Sequence, residues 1–342
     1  MTTVHATISR NDYNALYTRL ELVMGPSDGP AALYGWGQTM NASGVGVSDK
    51  VSVEEYGRLI TDMYNAYRHL YGSNPPTNWG SWPNNISTSQ KIKANTLTND
   101  GTYNTQPYRR WNDLIIAIEA AKYTIPPAAV ASSTTHSNAV YTGAWSTSAQ
   151  VLVTFTWSSA LAARHYFNSG GQIQLTSSLN SISGSAQDAS WRSLLQTAST
   201  QTFGGQQPAT GQNPNDNGNF FRCTNVYSSP WYTAIASSPY NANYYRLYAR
   251  TPSVLDNSNG TAFQLEMAAV YNDDHVGLGG PSATGTPTQP SGGFGPDLVG
   301  PASLYLQTVT RKAVGTINLY PSGSQSFNIE TPTVTVGGFV VS

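Results

Sequence analysis

The chain has 342 residues, 17 Lys plus Arg against 18 Asp plus Glu, a single cysteine, and only 10 % charged residues beside 11 % aromatic ones. So neutral a chain has no general electrostatic footprint for nucleic acid, and one cysteine excludes an intrachain disulfide framework. Low charge with many rings is the opposite of a disordered composition, and the length allows one large domain or two ordinary ones, with two expected.

No run approaches the length of an apolar membrane span, and Met1-Thr2-Thr3-Val4-His5 has neither the basic nor the apolar region of a signal peptide. The expectation is a protein made in a cytosol, without membrane or cofactor. Cys223, in Phe221-Arg222-Cys223-Thr224, is expected as a small buried apolar side chain. Tyr, Ser, Thr, Asn and Gly carry the polarity, which suits close contact with other proteins because few charges must be desolvated.

The first third has a helical period. Ser9 reads as an N-cap with Asp12 three residues on, and Tyr13, Leu16, Tyr17, Leu20 and Met24 recur at helical spacing until Gly25-Pro26. Residues 31–47 hold Gly35, Gly37, Gly44 and Gly46 and read as a long loop, with Tyr34 and Trp36 as aromatic anchors. Ser52-Val53-Glu54-Glu55 matches a capping box, and Tyr56, Leu59, Ile60, Met63, Tyr67, Leu70 and Tyr71 form one stripe closed by Gly72. That stripe is rich in tyrosine, whose hydroxyl needs a partner when buried, so the helix is expected to meet other polar surfaces as well as its own core. A third helix is predicted over 106–123 on Trp111, Leu114, Ile115, Ile118 and Ala121. Three amphipathic helices need one another, which places a helical domain at residues 1–126.

Residues 127–138 read as a linker, after which the period changes to alternation. Strands are expected at 139–145, 150–157, 172–177, 221–227, 244–250, 262–271 and 303–312, with a short helix at 189–198 capped by Asp188 or Ser190. Between the second and third of these strands, Asn168-Ser169-Gly170-Gly171 reads as a tight turn. The expected fold class is α+β multidomain, a small N-terminal helical domain followed by an antiparallel β-sandwich over 139–342. The connections 202–219 and 277–297, rich in Gly, Pro, Gln, Asn, Ser and Thr, are expected to lie against neighbouring subunits and to be mobile in the free protein. The tail 327–341 alternates Thr and Val, and is expected either as a last strand of the sandwich or as a strand added to a neighbour.

Arg164-His165-Tyr166-Phe167-Asn168-Ser169-Gly170-Gly171-Gln172-Ile173, with Ser190-Trp191-Arg192-Ser193-Leu194-Leu195 after it, resembles a family of virion structural proteins of tailed bacteriophages, especially cyanophages with contractile tails. Ile8-Ser9-Arg10-Asn11-Asp12-Tyr13-Asn14 running to Tyr34-Gly35-Trp36-Gly37-Gln38 is similar to that family's opening, and Asn272-Asp273-Asp274-His275 resembles its Asp-Asp-His turn. Asp297-Leu298-Val299-Gly300 follows the family's later Asp-x-Val-x-Gly stretch only loosely. The resemblance implies a non-enzymatic structural component of the virion, associated with tail or baseplate, or with the neck, whose partners are other virion proteins and copies of itself. It supplies no catalytic residues.

The residues themselves agree. The histidines His5, His69, His136, His165 and His275 are scattered, and no His-Glu-x-x-His or Gly-x-Ser-x-Gly motif occurs. Asp273 and Asp274 lack the spacing of a calcium loop and read as a turn cap. The assembly and structural residues expected from pattern and resemblance are Tyr13, Tyr34, Trp36, Tyr56, Tyr67, His165, Tyr166, Phe167, Asn168, Gly170, Gly171, Trp191, Asp273 and Asp274. The rival expectation is a receptor-binding or glycan-binding fibre module, in which Trp79, Trp82, Trp145, Trp157, Trp231 and tyrosines stack on host-surface sugar.

Overall fold

The structure is a computed structural model that describes residues 9–26, 35–75, 108–122, 131–145, 147–180, 186–205, 219–273, 299–314, 316–318 and 323–341. In chain order it begins with helices α1 (Arg10–Met24), α2 (Val53–Tyr71) and α3 (Tyr108–Ala121). Strands β1 (Ala131–Thr135), β2 (Ala139–Trp145) and β3 (Ser148–Thr156) follow, then α4 (Ala160–Asn168), β4 (Gln172–Asn180), α5 (Ala186–Ala198) and β5 (Thr200–Phe203). The remainder is β6 (Tyr232–Ile235), β7 (Tyr244–Arg250), β8 (Gln264–Asn272), β9 (Val299–Ala313), β10 (Thr316–Asn318), β11 (Ser324–Ser326), β12 (Thr333–Val336) and β13 (Val340–Val341). Helices first and antiparallel sheets after make this an α+β chain.

The chain divides into two compact units. The first takes in Met1–Ser132, Arg164–Gly171 and Lys312–Glu330. Both expected caps form there: Ser9 with Asp12, and Ser52 with Glu55, make reciprocal capping boxes, and Gly72 ends α2 in the left-handed conformation. Orphan carbonyls at the end of α1 are met by the glycine-rich loop, since Val23, Met24 and Gly25 accept from the amides of Trp36, Gln38 and Gly37. Asp62 of α2 holds the far side of that loop, accepting from the amides of Asn41 and Ala42 at 2.8 Å and from the Asn41 side chain. Tyr13, Leu16 and Leu20 of α1 pack with Leu59, Met63, Trp111, Leu114 and Ile118 as a buried core.

The second unit takes in Ser133–Ala163, Gln172–Arg311 and Thr331–Ser342. One sheet runs β1–β9–β4–β5 with β2 also on β9, and the other runs β12–β3–β8–β7–β6 with β13 also on β3. Alternation sets the faces. Val151, Val153 and Phe155 on β3, Tyr245, Leu247 and Ala249 on β7, and Leu265, Met267 and Tyr271 on β8 are buried, as are Ile173, Leu175 and Leu179 on β4. Ser177 of β4 links the two sheets: its Oγ bonds Tyr245 Oη of β7 at 2.8 Å and Tyr271 Oη of β8 at 2.7 Å.

Four expectations are corrected. The residues before Asn168 form α4, so the Gly170-Gly171 turn ends a helix instead of joining two strands. Ala160-Leu161-Ala162-Ala163-Arg164 is a run of strong helix formers, and Ser159 Oγ accepts from the Ala162 amide at its start. Residues 221–227 are no strand: Phe220–Arg222 is a 3₁₀ turn in which Phe220 and Phe221 are both buried. Within the expected linker, Ala131–Thr135 is an edge strand whose Ser and Thr side chains are largely exposed. Asp188 is a buried first-turn residue of α5, which begins at Ala186, upstream of the expected cap.

Of the two expectations for the tail, the intrachain one holds: β12 pairs with β3 from Thr333↔Thr156 to Val336↔Val153. The connections 206–218 and 274–298 lie outside the described residues. Cys223 is buried, as expected, with its thiol donating to the Asn219 carbonyl.

Candidate interaction face

The expected site residues fall into three places. In the first unit, Tyr13, Trp36, Tyr56, Tyr166, Phe167 and Asn168 are all buried. Tyr13 meets Tyr56 edge-on at 5.1 Å and donates its hydroxyl to the Ser43 carbonyl, while Tyr56 lies 5.2 Å from Trp111. Such ring pairs add about 0.5–1.5 kcal/mol each beyond the area they bury. Trp36 Nε1 donates to the Asn168 carbonyl at 3.0 Å, joining the passage at 35–38 to the passage at 164–171. His165 lies against Gly37, and burial, aided by Arg164, lowers its pKa to about 4. Gly170 takes φ +81°, and a side chain at Gly171 would collide with the Tyr166 carbonyl and ring.

In the second unit, Trp191 is buried edge-on to Trp145 at 5.8 Å, and Asp273 is buried and accepts from Gln187 Nε2 at 2.6 Å. Their side chains, like those of the six buried residues above, serve packing inside their own unit. Tyr67 is half-buried and stacks on Tyr71, which is 40 % exposed. Tyr34 and Asp274 lie outside the described residues, as do Trp79 and Trp82. Trp145, Trp157 and Trp231 are at most 2 % exposed, so the expectation that they stack on sugar is corrected: they are core side chains. Among the described residues no group of three or more His, Cys, Asp or Glu is placed to hold a metal ion.

One surface the second unit offers to solvent is the outer face of β12–β3–β8–β7–β6, opposite its buried side chains. In β7, Tyr245, Leu247 and Ala249 point inward, leaving Tyr244, Arg246, Tyr248 and Arg250 half-exposed on the other side. Cross-strand register puts Arg250 beside Glu266, Tyr248 beside Ala268, Arg246 beside Val270 and Thr233, and Tyr244 beside Ile235. One end of this face is tied down. Arg250 Nε donates to Glu266 Oε1 at 2.8 Å, Tyr227 Oη donates to the same oxygen at 2.5 Å, and the guanidinium lies 4.6 Å above the Tyr227 ring. Burial first, and then the bond to Glu266, hold the Tyr227 hydroxyl far above its ordinary pKa, so it stays a neutral donor.

The other end is open. Arg246 lies 3.8 Å over the Tyr244 ring with no ion pair among the described residues, Ile235 opposite Tyr244 is 60 % exposed, and farther across the sheet Val340 on β13 and Leu152 on β3 are 73 and 38 % exposed. Tyr and Arg beside exposed aliphatic side chains is the composition of binding hot spots, where broad rings and a flat guanidinium lose little entropy on contact. Sequence reasoning named none of these residues. Alternation marked 244–250 as a strand, but tyrosine at both 244 and 245 conceals which face is outward.

No family model, curated protein or solved structure matches the chain.

Proposed function

We propose that this chain is a non-enzymatic structural component of a tailed-bacteriophage virion, at the tail or baseplate or at the neck, acting through contacts with virion neighbours and copies of itself. The observation that carries the proposal is the half-exposed Tyr244, Arg246 and Tyr248 with Ile235, Val340 and Leu152 on the outer sheet face. Exposed rings and aliphatic groups keep apolar area in water, and a partner protein that covers them gains the free energy of removing that area. A second strip of the same character lies on α2, where Tyr64, Tyr67 and Tyr71 recur on the outer side and Arg68 lies over Tyr64. In this reading the sheets of the second unit pack as a β-sandwich, which the Ser177 bond to Tyr245 and Tyr271 supports, and closed rotational symmetry repeats the contacts.

The second reading is a host-surface glycan-binding module. It keeps the half-exposed rings Tyr227, Tyr244 and Tyr248 as sugar platforms and loses the buried tryptophans. The discriminating experiment pairs particle incorporation with glycan-array binding for the Tyr244→Ala/Tyr248→Ala variant. Loss of incorporation without any array signal from the wild type supports the structural reading; a wild-type array signal abolished in the variant supports the other.

A further inference from the structure

We infer that the outer edge of β6 and the groove beside it take an extended, uncharged segment of a partner protein as an added strand. β6 pairs with β7 through Tyr232, Ala234 and, beyond the strand, Ala236, whose amide donates to Asn243 O. Alternation then turns the N–H and C=O of Thr233 and Ile235 away from β7, onto an edge where no described strand pairs. Beside β6 stands α5. Its residues Ala186, Ser190, Ser193 and Thr197 recur at helical spacing on one side and, with Tyr232–Tyr240, line an open groove of about 540 Å³. That is the size of a small-ligand pocket.

Two properties of the groove state what fits. First, it offers unpaired backbone groups in strand geometry on one wall, which only another extended backbone meets in register. Second, none of its lining residues is charged. A charged occupant would be desolvated with no counter-ion, so the complement of this groove is itself uncharged. The small hydroxyls of Ser190, Ser193 and Thr197 leave room for side chains of the added strand and can bond its polar ones. Two outward residues limit the backbone contribution, so specificity comes from the alternate side chains seated against α5. This surface shares Ile235 with the outer sheet face but none of Tyr244, Arg246 and Tyr248, so peptide binding here can fail while the assembly reading stands.

The test uses the full chain and a set of capped, uncharged nonapeptides alternating Thr or Ser with Val, Ala or Leu. Binding is read by calorimetry and by amide exchange. The expected result is at least one peptide binding with new protection at the Thr233 and Ile235 amides. Ile235→Pro, which removes an outward donor and spares the β7 ladder, should weaken binding at least tenfold, as should Ser193→Trp, which fills the groove. A lysine at a groove-facing peptide position should do the same. The inference is overturned if no peptide binds at millimolar concentration, or if binding survives Ile235→Pro and Ser193→Trp. It is overturned equally if both amides are already protected in a concentration-dependent way without peptide, since a second copy then holds the edge.

Discussion

Gly37 lies directly against the imidazole of His165: a Cβ on Gly37 would sit 2.7 Å from His165 Cγ and nearer still to Nδ1. These residues are 128 positions apart, one in the passage at 35–38 and the other in the passage at 164–171. The contact makes those passages one packed unit. It also makes Gly37 necessary twice, because its φ of +71° is a conformation that side chains rarely adopt. Gly37→Ala should therefore lower stability by about 2 kcal/mol or more, read as a shift of the denaturant midpoint at constant slope. Gly338→Ala, where nothing lies within 4 Å of the new carbon, is the control and should change stability by less than about 0.5 kcal/mol.

Two buried groups of the first unit give opposite pH dependences. Burial raises Asp62 from 3.8 to about 6, so its contribution is fully present below the unfolded value and is lost as pH rises to about 6. Burial lowers His69, stacked on Phe327 at 4.0 Å, from 6.5 to about 3, so its contribution is present above 6.5 and is lost as pH falls. Asp62→Asn should remove a fall on the order of 3 kcal/mol between pH 4 and 6. His69→Phe should remove an acid loss of about 2 kcal/mol or more by pH 4.5. Denaturant titrations of both variants across pH 4–7 check the two signs.

The first unit is closed by segments distant in sequence. Tyr166, Phe167, Ile317 and Phe327 are buried in it, and Lys312 Nζ and Asn328 N bond the Ile329 carbonyl and Gln38 Oε1. A chain beginning at residue 127 should accordingly expose these apolar side chains, bind a hydrophobic dye and fail to stay monodisperse. A monodisperse, dye-negative product would show that the helices are dispensable to the rest.

Charge reversal on the outer sheet face should separate assembly from folding. Arg246→Glu with Tyr248→Glu touches half-exposed side chains only, so the midpoint of unfolding should move by less than about 1 kcal/mol. Incorporation into particles should fall at least tenfold. Normal incorporation would remove this face from the assembly surface.

Local chemistry was readable before the fold was known. The capping boxes at Ser9 and Ser52, the αL stop at Gly72 and the alternation of Tyr244–Arg250 each lie within a few residues and carry their own signal. What was hidden is of two kinds. In 160–168 the helix-forming alanines compete with a conspicuous Asn-Ser-Gly-Gly turn, and the turn masked the helix it terminates. Contacts such as Trp36 to Asn168, or His69 to Phe327, span more than a hundred residues and leave no periodic trace. The same holds for the face itself, since a strand with rings on both sides does not declare which side the core will take.

The most direct test of the proposed virion role is a mass-spectrometric inventory of particles purified from lysates of cells that produce this chain from its native genome, with crosslinks mapped to residues. The prediction is that the chain is present as a stoichiometric component, with crosslinks clustering near Tyr244–Arg250. Its absence from purified particles, or catalytic turnover by the purified chain, would contradict a structural role.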